Sequence, residues 1–114
     1  MIKLTTHTLD SSDGTHAARI PVKLSAISHE NKLEEIWSKT TDQNGRLEVN
    51  FEIDEVYSDS IFQLTFSLDE RFGVKSQGVQ TASISLNINF PDLNGIYHLP
   101  IIISPYGASL WWSN

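Results

Sequence analysis

Period two dominates this sequence, and it restricts the chain to strands with one dry and one wet face. Ile20, Val22, Leu24 and Ala26 alternate with Pro21, Lys23 and Ser25, and Leu47, Val49, Phe51 and Ile53 with Glu48, Asn50 and Glu52. Phe62 to Leu68 and Ile84 to Phe90 repeat the pattern. Alternation this regular predicts half-buried strands in antiparallel sheets, since buried parallel strands read as continuous apolar runs. Turn signals punctuate it: Asp10-Ser11-Ser12-Asp13-Gly14, Asn44-Gly45 and Pro91-Asp92-Leu93-Asn94-Gly95. The last of these feeds a strand over Ile96 to Ile103, where Pro100 removes one ladder hydrogen bond and suggests an edge or a bulge. A weaker strand is expected from Glu34 to Thr40. A short helical turn fits only Asp69 to Val74, ended by Gly73. Seven or eight strands with at most one short helix read as an all-β antiparallel sandwich. With 114 residues and no repeat, linker or low-complexity tract, the chain is expected to be a single domain, 1–114.

Composition removes several classes of function. There is no Cys, so disulfides, Cys-ligated zinc and a thiol nucleophile are excluded together. A net charge of −6 has the wrong sign for gripping a phosphate backbone, so nucleic acid is not an expected partner. No apolar run approaches the roughly 20 residues of a membrane span. The start of the chain lacks the apolar stretch of a signal peptide, and its end is not a Ser-Lys-Leu-type address. A cytoplasmic location is the expectation, with peroxisome and periplasm left open.

The chemistry-bearing residues are few. His16 and His29 stand in polar loop contexts and read as solvated. His7 and His98 stand in strand-like segments, where an imidazole is usually a hydrogen-bonded structural group. Arg46, after the Asn44-Gly45 turn, reads either as a surface residue on a hairpin or as a planar donor fork for an oxygen-rich ligand. Glu34-Glu35 and Asp54-Glu55 read as solvated faces or turns. No metal-ligand spacing, Gly-rich phosphate loop or Gly-x-Ser-x-Gly elbow occurs, so no metal or cofactor is expected.

Three ordered motifs narrow this further. Leu4-Thr5-Thr6-His7-Thr8-Leu9-Asp10, with Gly14, Ala17-Ala18 and Ile20-Pro21-Val22, resembles the N-terminal signature of the transthyretin family. Thr41-Asp42-Gln43-Asn44-Gly45-Arg46 resembles its second motif, and Tyr97-His98-Leu99-Pro100-Ile101-Ile102-Ile103-Ser104-Pro105-Tyr106-Gly107 its C-terminal signature. Plasma hormone carriers of the family lack the two histidines and the arginine; its 5-hydroxyisourate hydrolases keep all three. Retention of His7, Arg46 and His98 implies the hydrolase branch. The resemblance further implies a homotetramer with active sites at the dimer–dimer interface and cofactor-free opening of a ring amide in purine breakdown. The two imidazoles would share acid/base work, in an order the sequence leaves open, and Arg46 would clamp the substrate.

The tail departs from the branch. Where it typically ends in Tyr-Arg-Gly-Ser, this chain has Trp111, Trp112, Ser113 and Asn114, all four counted here as candidate substrate contacts. Ala108 replaces a usual Tyr, and Ile96 a frequent His. Exchanging Arg for Trp112 removes a permanent cation and adds an apolar face. Adjacent strand residues face opposite ways, so one indole at most is expected to reach a given cavity. Two alternatives therefore stand beside the hydrolase: a paralogue acting on a bulkier cyclic compound, and a non-catalytic carrier of aromatic ligands.

Overall fold

The computed structural model describes residues 1–72 and 80–113. Its nine strands are β1 (Ile2–Asp10), β2 (Thr15–His16), β3 (Pro21–Ile27), β4 (Leu33–Thr40), β5 (Arg46–Phe51), β6 (Ile61–Ser67), β7 (Ser83–Ile88), β8 (Ile96–Ser104) and β9 (Gly107–Leu110). A 3-10 turn at Glu55–Tyr57, capped by the Asp54 carboxylate, joins β5 to β6, in line with the turn reading of Asp54-Glu55. The helical turn expected near residue 70 is α1 (Asp69–Phe72). Gly73 and Val74, assigned to its end, lie outside the described residues. Among the described residues no helix is long and apolar enough to cross a membrane.

The strands form two sheets packed as a sandwich. One runs β4-β3-β6-β7; the other runs β2-β1-β8-β9, with β5 sharing the β2 edge of β1. All pairings are antiparallel except β1 with β8, whose parallel register joins Lys3–Asp10 to Ile96–Ile103. The core lies between the sheets. Leu24, Leu64, Phe66, Leu99, Ile101 and Ile103 are fully buried there. An edge-to-face relay of rings, Trp37–Phe51–Phe90–Tyr97–Trp112, runs through it with centroid spacings of 5.3 to 6.1 Å.

Two local expectations are corrected. The Asn44-Gly45 turn is not a hairpin: it carries the chain from β4 in one sheet to β5 in the other. Nor does Pro100 mark an edge, since β8 lies between β1 and β9. Its missing N–H falls instead where the ladder toward the tail breaks. β9 ends at Leu110, opposite Ile101; beyond it the Trp111 N–H donates to the Pro100 carbonyl at 3.3 Å, and the next bridge is the isolated His98–Ser113 pair.

Candidate active site

The outward face of the five-stranded sheet gathers the residues singled out by sequence. Thr5 and His7 alternate along β1 with the buried Leu4, Thr6 and Thr8. Directly opposite them on β5 stand Glu48 and Arg46. On the other side, β8 sets His98 beside Thr5 and Pro100 beside His7. Residues paired across strands share a face, so His7, Arg46 and His98 meet on three neighbouring strands despite wide separation in sequence.

Arg46 is placed by the turn that precedes it. The Asp42 carboxylate accepts the N–H groups of Asn44 at 2.8 Å and Arg46 at 2.9 Å, and the Asp42 carbonyl accepts that of Gly45 at 3.0 Å. Those N–H donors, Arg46 first, hold the Asp42 carboxyl below its ordinary pKa. The buried Thr8 fastens this turn to β1. Its N–H donates to the Gly45 carbonyl at 2.8 Å, and its hydroxyl donates to the Ala17 carbonyl at 2.6 Å.

His7 has defined partners. Its Nε2 lies 3.1 Å from the Asn44 carbonyl oxygen and 2.9 Å from Nδ1 of His16. A carbonyl only accepts, so Nε2 carries the proton and the neutral ring keeps its lone pair on Nδ1. Partial burial lowers the His7 pKa below 6.5; the Arg46 guanidinium and His16 add to this, and His98 contributes last, against an upward pull from Asn44. His7 is therefore neutral at pH 7. His98 is half-buried, with Nδ1 2.6 Å from the Thr5 hydroxyl.

Two depressions flank His98. One of about 320 Å³ joins it to Arg46, Thr5, Thr6, Asp42 and Glu48; His7 is not among its lining residues. The other, also about 320 Å³, joins His98 to Tyr97, Trp112, Ser113, Asn87 and Asn89. The tail reaches it through the Ser113 N–H, which donates to the His98 carbonyl at 2.8 Å. Trp112 stands edge-on to Tyr97. Trp111 is 44% exposed and does not line this pocket; Asn114 lies outside the described residues. His29 borders a separate surface pocket with Glu34 and Tyr57. His16 is exposed as expected, but it sits on β2 against His7 rather than free in a loop. The signal for it was the Asp10–Gly14 turn, which folds Thr15-His16 back along β1.

Comparison with known proteins finds relatives that span nearly the whole chain. A 5-hydroxyisourate hydrolase from Halalkalibacterium halodurans is 29% identical over 113 residues, covering 96% of this chain and 95% of that protein. The solved structure of Klebsiella pneumoniae 5-hydroxyisourate hydrolase superposes with a TM-score of 0.75 at 24% identity, over the full length of both chains. Sea bream transthyretin in complex with thyroxine reaches the same TM-score at 16% identity, covering 96% of this chain and 93% of that one. These likenesses to solved structures establish the fold. The model of the HIUase/Transthyretin family matches residues 4–112, and the chain belongs to that family.

Proposed function

We propose that this chain opens the ring amide of 5-hydroxyisourate or a close cyclic analogue, using His7, Arg46 and His98. The observation that carries this reading is the convergence of all three on the outward face of β1, β5 and β8. His7, neutral at pH 7 with its lone pair on Nδ1, takes the proton of the attacking water. Arg46 binds substrate oxygens and the negative charge that develops on them. His98 protonates the departing nitrogen. In that step His98 donates its Nδ1–H to the Thr5 hydroxyl and releases the proton on Nε2, becoming the neutral ring, and the proton that His7 took from water restores it. As a whole domain, 1–114, the chain assembles as a homotetramer whose copies cover the open outward face. Ile96 at 75% exposure and Trp111 at 44% are apolar surface that such assembly would bury.

The pocket formed by Trp112, Tyr97 and His98 favours a second reading within the same chemistry. A flat aromatic wall in a pocket bordered by His98 suits a cyclic substrate bulkier than 5-hydroxyisourate, with Trp112 and Ser113 as its contacts.

The deciding experiment follows the ultraviolet decay of freshly generated 5-hydroxyisourate with the wild type, His7→Ala and His98→Ala. Acceleration by the wild type alone is expected. No acceleration by the wild type overturns the activity, and acceleration that survives either substitution removes that histidine from its role. Tight binding of aromatic compounds without turnover would instead favour a carrier. Light scattering should give four times the monomer mass; a stable monomer contradicts the assembly.

A further inference from the structure

His16 presents its Nδ1 to the nitrogen of His7 that does not enter the chemistry. The two atoms are 2.9 Å apart, and the ring centroids 4.9 Å apart at an interplanar angle of 35°. The approach follows from strand register. His16 pairs with Leu9 across β1 and β2, which makes it the diagonal neighbour of His7 on the same face.

The hairpin that carries His16 is braced from several directions. Gly14, at φ 74°, closes the turn by donating its N–H to the Asp10 carbonyl at 2.9 Å. Asp10 accepts from the N–H and hydroxyl of Ser12, and Asp13 from the N–H of Thr15. Arg71 on α1 clasps both carboxylates, at 2.8 and 3.2 Å. On the far side of His16, the Ala17 N–H donates to the Thr8 carbonyl at 2.9 Å. A surface imidazole is thus held from a fixed backbone.

Proton placement assigns the pair a direction. With the His7 proton on Nε2, as the Asn44 carbonyl at 3.1 Å favours, His16 faces that proton at 2.9 Å with a bare Nδ1. The His7 Nε2–H is then shared between the Asn44 carbonyl and the His16 imidazole. We infer that His16 is a positioning residue for His7, accepting its Nε2–H so that Nδ1 is the nitrogen that exchanges a proton with the substrate water. The arrangement survives catalysis. When His7 takes a proton on Nδ1, its Nε2–H still donates to the same two acceptors, and neither hydrogen bond breaks.

The other charged and titratable groups facing His7 are Arg46 on β5, His98 on β8 and Asp42 in the preceding turn. Arg46 and His98 act with His16 in opposing a charge on His7, and Asp42 supplies the compensating negative charge.

The inference rests on His7 serving as the base, so its test has a readout independent of turnover. Nitrogen-15 NMR of the imidazoles in the full-length protein reports the His7 tautomer and its titration directly. The wild type is expected to show His7 protonated on Nε2. His16→Ala, which leaves the 3.1 Å contact to the Asn44 carbonyl without its companion acceptor, should raise the fraction of His7 protonated on Nδ1. His16→Asn, whose carboxamide oxygen can accept the same proton, should keep the Nε2–H tautomer. In turnover, His16→Ala should lose about 3- to 10-fold in kcat with KM little changed, and His16→Asn should recover most of the loss. A wild-type His7 protonated on Nδ1, or a tautomer unmoved by His16→Ala, overturns the inference. If 5-hydroxyisourate proves not to be the substrate while the NMR pattern holds, the proposed activity fails and the imidazole pair stands.

Discussion

A Cβ on Gly45 would lie 2.4 Å from the carbonyl oxygen of Thr8. The same atom would meet the Ala17 carbonyl and the Thr8 hydroxyl at 2.9 Å each, and the backbone there has φ 74°. All three neighbours belong to the hydrogen-bonded seam that holds the Arg46 turn on β1, so none can yield without breaking it. Gly45→Ala should therefore destabilise the fold by about 2–4 kcal/mol, from strained backbone and lost seam bonds together. The Arg46 guanidinium would shift away from His98, and kcat/KM should fall at least 10-fold in whatever protein remains folded. Urea unfolding checks the first effect, and turnover at a temperature well below the melting transition checks the second.

The parts of this arrangement that sequence could convey were those set by short-range pattern. β3, β5, β6 and β7 announce themselves because each alternates apolar residues inward. β1 is quieter, because Thr6, Thr8 and Asp10 also point inward and are buried. Each is paired off by partners distant in sequence: Leu99 for Thr6, Ala17 and Gly45 for Thr8, Arg71 for Asp10. The parallel β1–β8 register joins residues more than ninety apart, which no local period encodes. The catalytic-type trio was accordingly visible only through family resemblance. His16 was passed over because its immediate neighbours are polar, while the contact that matters comes from the diagonal of a hairpin.

In the proposed reaction, the lowered pKa of His7 sets the acid limb of activity. Burial is the main cause and Arg46 the next, and together they outweigh the Asn44 carbonyl. An unfolded chain protonates this histidine near 6.5, the folded one at lower pH. Between those two values the unfolded state binds more protons, so the contribution of His7 to stability is full above 6.5 and declines as pH falls through the folded value. The acid limb of kcat/KM should accordingly have its midpoint below 6.5 in the wild type. Arg46→Gln should raise that midpoint toward 6.5, apart from its effect on substrate affinity. A wild-type limb centred above 6.5 would remove His7 as the base.

Arg71 and Asp10 give a second pH signature, in stability rather than activity. Burial acts to raise the Asp10 pKa, but the Ser12 hydrogen bonds and the Arg71 guanidinium outweigh it, and the net shift is downward from 3.8. Removing the cation in Arg71→Ala leaves a carboxylate that is 4% exposed, with Ser12 as its remaining side-chain partner among the described residues. The expected loss is about 1–3 kcal/mol at pH 7. A group whose folded pKa is depressed stabilises above its unfolded value and loses that contribution as acid protonates it. The difference between wild type and Arg71→Ala should therefore shrink below pH 3.8, as thermal melts at pH 7 and pH 3 would reveal.

Trp112 should act on substrate affinity more than on the chemical step. Its ring meets Tyr97 edge-on at 6.1 Å and 73°, closing the aromatic relay that begins at Trp37 in the core. At 43% exposure it contributes little to burial, so Trp112→Ala should cost the fold no more than about 1.5 kcal/mol. The same truncation removes one wall of the pocket that ends on His98, while His7, Arg46 and the Thr5–His98 hydrogen bond stay in place. Interactions made equally by bound substrate and transition state change KM and spare kcat. A lost aromatic contact of about 0.5–1.5 kcal/mol corresponds to a rise in KM of about 2- to 10-fold, largely restored in Trp112→Phe. Were kcat to fall with KM unchanged, the indole would belong to the placement of His98 rather than to the binding of substrate.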